Sequence, residues 1–144
     1  MKNVIKLWLA AALLCAASNI ASAQSQTKAA GLKRYVFVVL TNPVSGQEAQ
    51  YNDWYTNVHL PDLVKIPGIK SAQRFKVAPE NADPGAYKYL ALYEIETNDL
   101  AAVQKAIGAA AGTSAMIISP ALDGAKVSAI YFQELTDKVK PRTK

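Results

Sequence analysis

Hydrophobic and polar positions along this chain switch between a strand period and a helix period. Residues 35–40, Tyr-Val-Phe-Val-Val-Leu, are a continuous apolar run rich in β-branched and aromatic side chains. Such a run predicts a strand buried on both faces, ended by Asn42-Pro43. A helical period follows. Ser45 and Glu48 stand at capping-box spacing, and Tyr51, Trp54, Tyr55 and Val58 make one apolar stripe. His59 comes four residues after Tyr55 and borders that stripe. Pro61 predicts the end of regular helix near Leu60, because proline has no N–H and disfavours helix at the residue before it. Pro67-Gly68 reads as a turn. Residues 69–77 predict a second strand, 81–85 a loop, and 87–95 a third strand. Thr97, Asn98 and Asp99 cap a second helix carrying Leu100, Val103 and Ile107, which softens over residues 108–112. Residues 113–124 read as irregular and end in an Asp123-Gly124 turn; residues 127–135 read as the last strand.

The order β-α-β-β-α-β is the ferredoxin-like arrangement, an α+β class with a four-stranded antiparallel sheet. Two helices cover only one face of such a sheet. Yet Tyr87, Tyr89, Ala91, Tyr93 and Ile95 share one side of the third strand, and Leu90 and Leu92 share the other. In the last strand Val127, Ala129 and Tyr131 oppose Ile130 and Phe132. Apolar side chains on both faces require a second cover. A homodimer packed sheet to sheet is the simplest, since two-fold dimers are the commonest oligomers.

The first residues change the picture of where the domain begins. Lys2 and Lys6 precede an apolar run over 7–17, too short to span a bilayer, and Ala21-Ser22-Ala23 supplies small residues before Gln24. The expectation is a cleavable signal peptide over 1–23, a secreted or periplasmic protein, and no membrane attachment after cleavage. Leu14 is too large for the position before a lipidated Cys15. Residues 24–33 then read as a flexible lead-in, 34–136 as one domain, and 137–144 as a basic tail. Cleavage removes the only cysteine, so the mature chain has no disulfide and no thiolate nucleophile. Losing Lys2 and Lys6 lowers the formal charge from +5 to about +3. With no dense Lys/Arg cluster, nucleic acid is not an expected partner.

His59 is the only histidine. Its unperturbed pKa lies near neutrality, so it is the one candidate for proton transfer by imidazole. A histidine at a helix C-terminus is also favoured by the helix dipole, whatever its chemistry. Asp62 stands three residues on, placed either to orient the imidazole or to sit solvated in a loop. Trp54 and Tyr55 are close enough to His59 to wall a pocket. Tyr35, Tyr87, Tyr89, Tyr93 and Tyr131 fall on strands, and phenols combine apolar area with a polar tip. They suit an aromatic ligand, with Tyr93 the phenol to steady an oxyanion and Tyr89 and Tyr131 as ligand contacts; for most of the five, an aromatic dimer core is the better reading. Arg74 is placed to hold a carboxylate bidentately, or to pair with Glu94 or Glu96. One histidine and no mature cysteine leave no metal-ligand spacing. A lone histidine is able to ligate haem, but nothing else in the chain points to it. No glycine-rich phosphate loop or serine elbow occurs, which disfavours nucleotide, nicotinamide and flavin chemistry. No cofactor is expected.

Trp54, Tyr55, His59, Leu60-Pro61, Ile66-Pro67-Gly68 and Arg74-Phe75 together resemble the EthD-like branch of the dimeric α/β-barrel proteins. That branch carries an aromatic helix, a histidine, a Leu-Pro or Ala-Pro step, and a Pro-Gly turn into the second strand. The resemblance covers residues 35–135 in pattern and 51–75 in motif. It implies two sheets packed face to face and a small-molecule pocket beside them, with Phe75 among the ligand contacts. Proteins of this fold include cofactor-free cyclases, dehydratases, lactone isomerases, monooxygenases and haem proteins. The signal peptide is a departure, since most such proteins look cytosolic. The resulting expectation is an exported, cofactor-free lyase, isomerase, dehydratase or cyclase acting on a small apolar or aromatic carbonyl compound, with His59 as base. The alternative is a non-catalytic periplasmic protein that binds or protects such a molecule.

Overall fold

The computed structural model describes residues 31–79, 83 and 86–142. The expected signal peptide, most of the lead-in and most of the 81–85 loop lie outside them. The described elements run β1 (Lys33–Pro43), α1 (Glu48–Trp54), a π-helical turn (Tyr55–His59), α2 (Leu60–Val64), β2 (Ile69–Lys76), β3 (Tyr89–Thr97), α3 (Leu100–Ala110) and β4 (Leu122–Gln133). The sheet order is β2-β3-β1-β4, and every neighbouring pair is antiparallel. This is the ferredoxin-like topology.

The apolar run centred on Val38 becomes a central strand because it has partners on both edges. Phe37 stands opposite Tyr93 on one side and Tyr131 on the other; Val38 stands opposite Leu92 and Ile130. Side chains alternate faces along a strand. Phe37, Val39, Tyr89, Ala91, Tyr93 and Ile95 therefore point together under the helices and are buried there with Tyr51, Tyr55, Leu63, Val103 and Met116. The other face carries Val36, Val38, Leu40, Leu90 and Leu92, all half-buried. It also carries Phe75, Ile130 and Phe132, at 44, 46 and 50% exposure. Among the described residues no element covers it. Among the described residues no helix is long and apolar enough to cross a membrane.

Three local expectations are corrected. The Ser45–Glu48 capping box does not form: the cap position is Gln47, with no side-chain cap bond. Ser45 and Gly46 are instead the middle of a turn closed by the Gln47 N–H on the Val44 carbonyl at 2.9 Å, with Gly46 at φ 78°. A type II turn needs a positive φ at its third residue, and glycine supplies it without strain. The second cap forms as expected, with the Asp99 carboxylate accepting from the Ala102 N–H at 2.9 Å. Next, the helix does not stop before Pro61 but continues as α2 to Val64, with Pro61 in its first turn. Last, Asp123 and Gly124 lie inside β4, which starts at Leu122 opposite Pro43 across a register shift. A bulge absorbs the residues that read as a turn.

Gly68 admits no side chain. Its φ is 99°, and a Cβ there would stand 2.9 Å from Cγ2 of Val103. The turn from α2 into β2 is pressed against α3 at this point.

A candidate site around His59

The π-helical turn decides where His59 points. The Leu60 N–H reaches back five residues to the Tyr55 carbonyl. A π-turn takes up one residue more than an α-turn and is often found at functional sites. The inward stripe set by Tyr51, Trp54 and Tyr55 is therefore displaced by one residue. Val58, expected on the stripe, is turned out to 39% exposure, and His59 is turned in. Pro61 gives the local reason. Its ring would collide with the carbonyl four residues earlier in a tight α-helix, and a wider turn relieves that crowding.

His59 lies against two rings. Trp54 is 4.7 Å away by ring centroids and tilted 31°, and Tyr55 is 4.9 Å away, edge to face. Its Nδ1 is buried with no hydrogen-bond partner among the described residues. Burial among these rings disfavours the imidazolium and lowers the pKa from 6.5 to about 4; Asp62 opposes this and Arg74 reinforces it. The imidazole is thus neutral across the physiological range. Trp54 is itself fixed, its indole N–H donating to the Ile117 carbonyl at 2.9 Å.

Behind the imidazole stands a cluster of phenols. Tyr51 rests on Tyr55 and Tyr89 with ring centroids 5.5 and 5.2 Å apart. The Tyr93 hydroxyl donates a long bond to the Tyr55 hydroxyl at 3.4 Å. Burial pushes the Tyr55 phenol up to about 12 and the Tyr93 phenol well above its ordinary value. Both stay protonated and able to donate. Tyr131 lies apart from His59, stacked on Phe37 at 4.1 Å.

Arg74 enters the cluster from β2. Its guanidinium carbon is 4.4 Å from the Tyr55 ring centre and 5.1 Å from those of Tyr51 and Tyr89. Asn52 accepts from it through both its side chain and its carbonyl, and Thr56 through its hydroxyl. Neither Glu94 nor Glu96 is its partner: Glu94 accepts from Ser71 and Lys138, and Glu96 faces Lys70. Asn52 also donates to the Tyr89 hydroxyl at 3.0 Å, and Tyr89 donates to Glu48. That bond, with one from Lys76, holds the Glu48 carboxyl below the usual range.

No family model matches the chain. Among curated proteins it is 46% identical over 60 residues to core atranone cluster (CAC) protein 1 of Stachybotrys chlorohalonatus, a match over 40% of this chain and 24% of that protein. The chain thus spans about a quarter of the length of the curated relative it matches. Among solved structures it is similar to an ethyl tert-butyl ether D (EthD) family protein of Bacillus halodurans, at 16% identity and a TM-score of 0.48, over 72% of this chain and 99% of that one. HapK of Hahella chejuensis is similar at 16% identity and a TM-score of 0.46, over 77% and 99%. The chemistry of the site is read from this chain's own residues.

The fold brings together His59, Trp54, Tyr55, Arg74, Tyr89 and Tyr93, all of which the sequence singled out. It separates others from them. Asp62 is not a solvated loop acid; it sits in the first turn of α2 with its side chain 15% exposed, bonded to Lys65 at 2.8 Å. Its partner is that lysine rather than the imidazole. Phe75 follows Arg74 on β2, so it points to the opposite, open face of the sheet. Asn52, Thr56 and Glu48 were not legible as site residues. They are polar positions on an amphipathic helix, and only the approach of β2 and β3 gives them partners. Two depressions of about 310 and 440 Å3 lie elsewhere, one by Arg34 and Asp137 and one by Gly68 and Asp99. Among the described residues no three His, Cys, Asp or Glu side chains converge as a metal site.

Proposed function

We propose that this chain is an exported acid/base enzyme of the lyase, isomerase, dehydratase or cyclase type, working without a cofactor on a small apolar or aromatic carbonyl compound. The observation that carries this reading is the lone histidine: neutral, walled by Trp54 and Tyr55, its Nδ1 buried and unpartnered. Leaving a buried polar atom without a partner costs roughly 1–3 kcal/mol, and a catalytic role is one of the reasons such an atom is kept. In the proposed step His59 takes a proton from the carbon beside a carbonyl. The C–H electron pair moves into the carbonyl and makes an enolate, and a phenol donates a hydrogen bond to its oxygen. The proton is then returned at another atom. Tyr55 suits the donor role better than Tyr93, because its ring touches the imidazole and Tyr93 lies one ring deeper. Negative charge developing beside His59 raises its pKa during the step, offsetting the weak basicity that burial imposes.

The reading is tested by deuterium exchange at the α-carbon of a panel of aromatic ketones. The protein should accelerate exchange, and His59→Gln should lower the rate by roughly a hundredfold or more, the scale for losing a positioned base. The wild-type rate should rise with pH through a single ionisation near 4, the value of the buried imidazole, rather than near 6.5. A His59→Gln protein that exchanges as fast as wild type would refute the base.

The binding reading has its own support. Tyr55 and Tyr93 are 1% and 0% exposed, and the hydroxyl of Tyr93 is spent on its neighbour. A protein that only holds an aromatic molecule would bind it equally well as His59→Gln and show no exchange. Either function goes with a homodimer across the open sheet face. Light scattering at micromolar concentration should give twice the chain mass; a monomer with a cooperative melt would refute that assembly.

A further inference from the structure

We infer that Arg74 is a positioning residue for His59: from β2 it clamps the π-helical turn and so fixes the imidazole against Trp54 and Tyr55. The inference deepens the acid/base reading of the same site, but its test reads the imidazole itself and needs no substrate.

The π-turn is not self-sufficient. Such widened turns are rare and interrupt the regular i→i−4 ladder, so contacts from outside the helix bear on which arrangement is kept. Pro61 excludes a tight α-turn but does not say which wider arrangement is kept. Arg74 does. Nη1 donates to the Asn52 carbonyl at 3.3 Å and to the Thr56 hydroxyl at 2.9 Å, and Nη2 donates to the Asn52 side-chain oxygen at 2.8 Å. Asn52 lies in α1 just before the turn, and Thr56 lies within it. One planar fork thus ties both to a sheet strand. The same guanidinium lies 4.4 Å over the Tyr55 ring, whose edge contact with His59 is 4.9 Å. The route from Arg74 to the imidazole is therefore a hydrogen-bonded turn and a stacked ring, with no direct bond. Lysine retains the charge, but it has neither the fork nor the flat face that make this arrangement.

The chain has one histidine, so a tag-free protein shows one imidazole in long-range proton–nitrogen NMR spectra. The charged and titratable groups that act on it are Asp62 on α2, through its charge alone, Arg74 on β2 and Tyr55 in the π-turn. In wild type the imidazole protons should carry the ring-current shifts of Trp54 and Tyr55, and the ring should titrate far below 6.5. In Arg74→Met both signatures should move toward those of a free histidine. Arg74→Lys separates charge from position. If positioning is the role, the ring-current shifts should be lost although the positive charge remains. Thr56→Val removes one exposed acceptor and should move the same protons in the same direction by less, which keeps the inference testable if Arg74→Met fails to fold. Ring-current shifts unchanged in Arg74→Lys and Thr56→Val would overturn it. So would an Arg74→Met protein that folds with its imidazole still held between the two rings.

Discussion

Tyr51→Ala should lower the stability of the protein by roughly 3–5 kcal/mol, the range for deleting a large buried aromatic side chain. Tyr51 is 0% exposed. Its ring meets those of Trp54, Tyr55 and Tyr89, and its hydroxyl shares a 2.6 Å bond with the buried Thr41 hydroxyl. Truncation would leave a cavity where helix and sheet meet, and would strip Thr41 of its partner. Urea unfolding should show the midpoint falling with little change in slope. Tyr51→Phe isolates the polar part: the ring stays, the Thr41 hydroxyl loses its bond, and about 1–3 kcal/mol should go. Adding Thr41→Val to Tyr51→Phe should return part of that loss, because no polar atom is then left unpaired. A Tyr51→Ala protein within about 1 kcal/mol of wild type would show that the helix–sheet seam repacks freely.

Acid should weaken the fold above the pH at which Glu48 and Glu94 lose their contributions. In the unfolded chain His59 titrates near 6.5; in the folded protein burial holds it to about 4. Between those values the unfolded state binds a proton that the folded state refuses. Stability contributed by the neutral imidazole is therefore complete above pH 6.5 and declines as the pH falls toward 4. At 1.36 kcal/mol per pH unit, and discounted for the partial exposure of the ring, the loss is roughly 2–3 kcal/mol. Glu48 and Glu94 are both held below the ordinary carboxylate range, Glu48 chiefly by Tyr89 and Glu94 chiefly by Ser71. Their contributions are lost only below about pH 4.5, which leaves pH 6.5 to 4.5 to the histidine. Melting temperatures measured across that window should fall for wild type and stay level for His59→Gln. A level wild-type curve would mean that His59 is solvated and freely protonated, and the buried-base geometry would be lost with it.

Much of the fold follows from the sequence alone, because strand and helix periods are local. The continuous apolar runs place β1 and β3, their two-sided character leaves an apolar face open, and Asp99 caps α3 through its own side chain. The lone histidine, its aromatic neighbours on the same helix and the Leu-Pro step after it are legible for the same reason: they lie within two turns of one another. What the sequence hid depends on residues far apart along the chain. Pro61 looks like a helix stop, yet α2 continues past it, because a widened turn accommodates the ring and burial of Leu63 rewards the extension. That widening moves Val58 out and His59 in, which no helical period anticipates. Arg74 and Phe75 are adjacent in sequence, but pleating sends one to the imidazole side of the sheet and the other to the open face. Asn52 and Thr56 acquire a role only when strand pairing carries Arg74 to them across 22 and 18 positions. The sequence by itself determined which side chains are able to do chemistry here; tertiary structure decided which of them meet, because register and a one-residue change of helical pitch are settled by packing between elements and not within them.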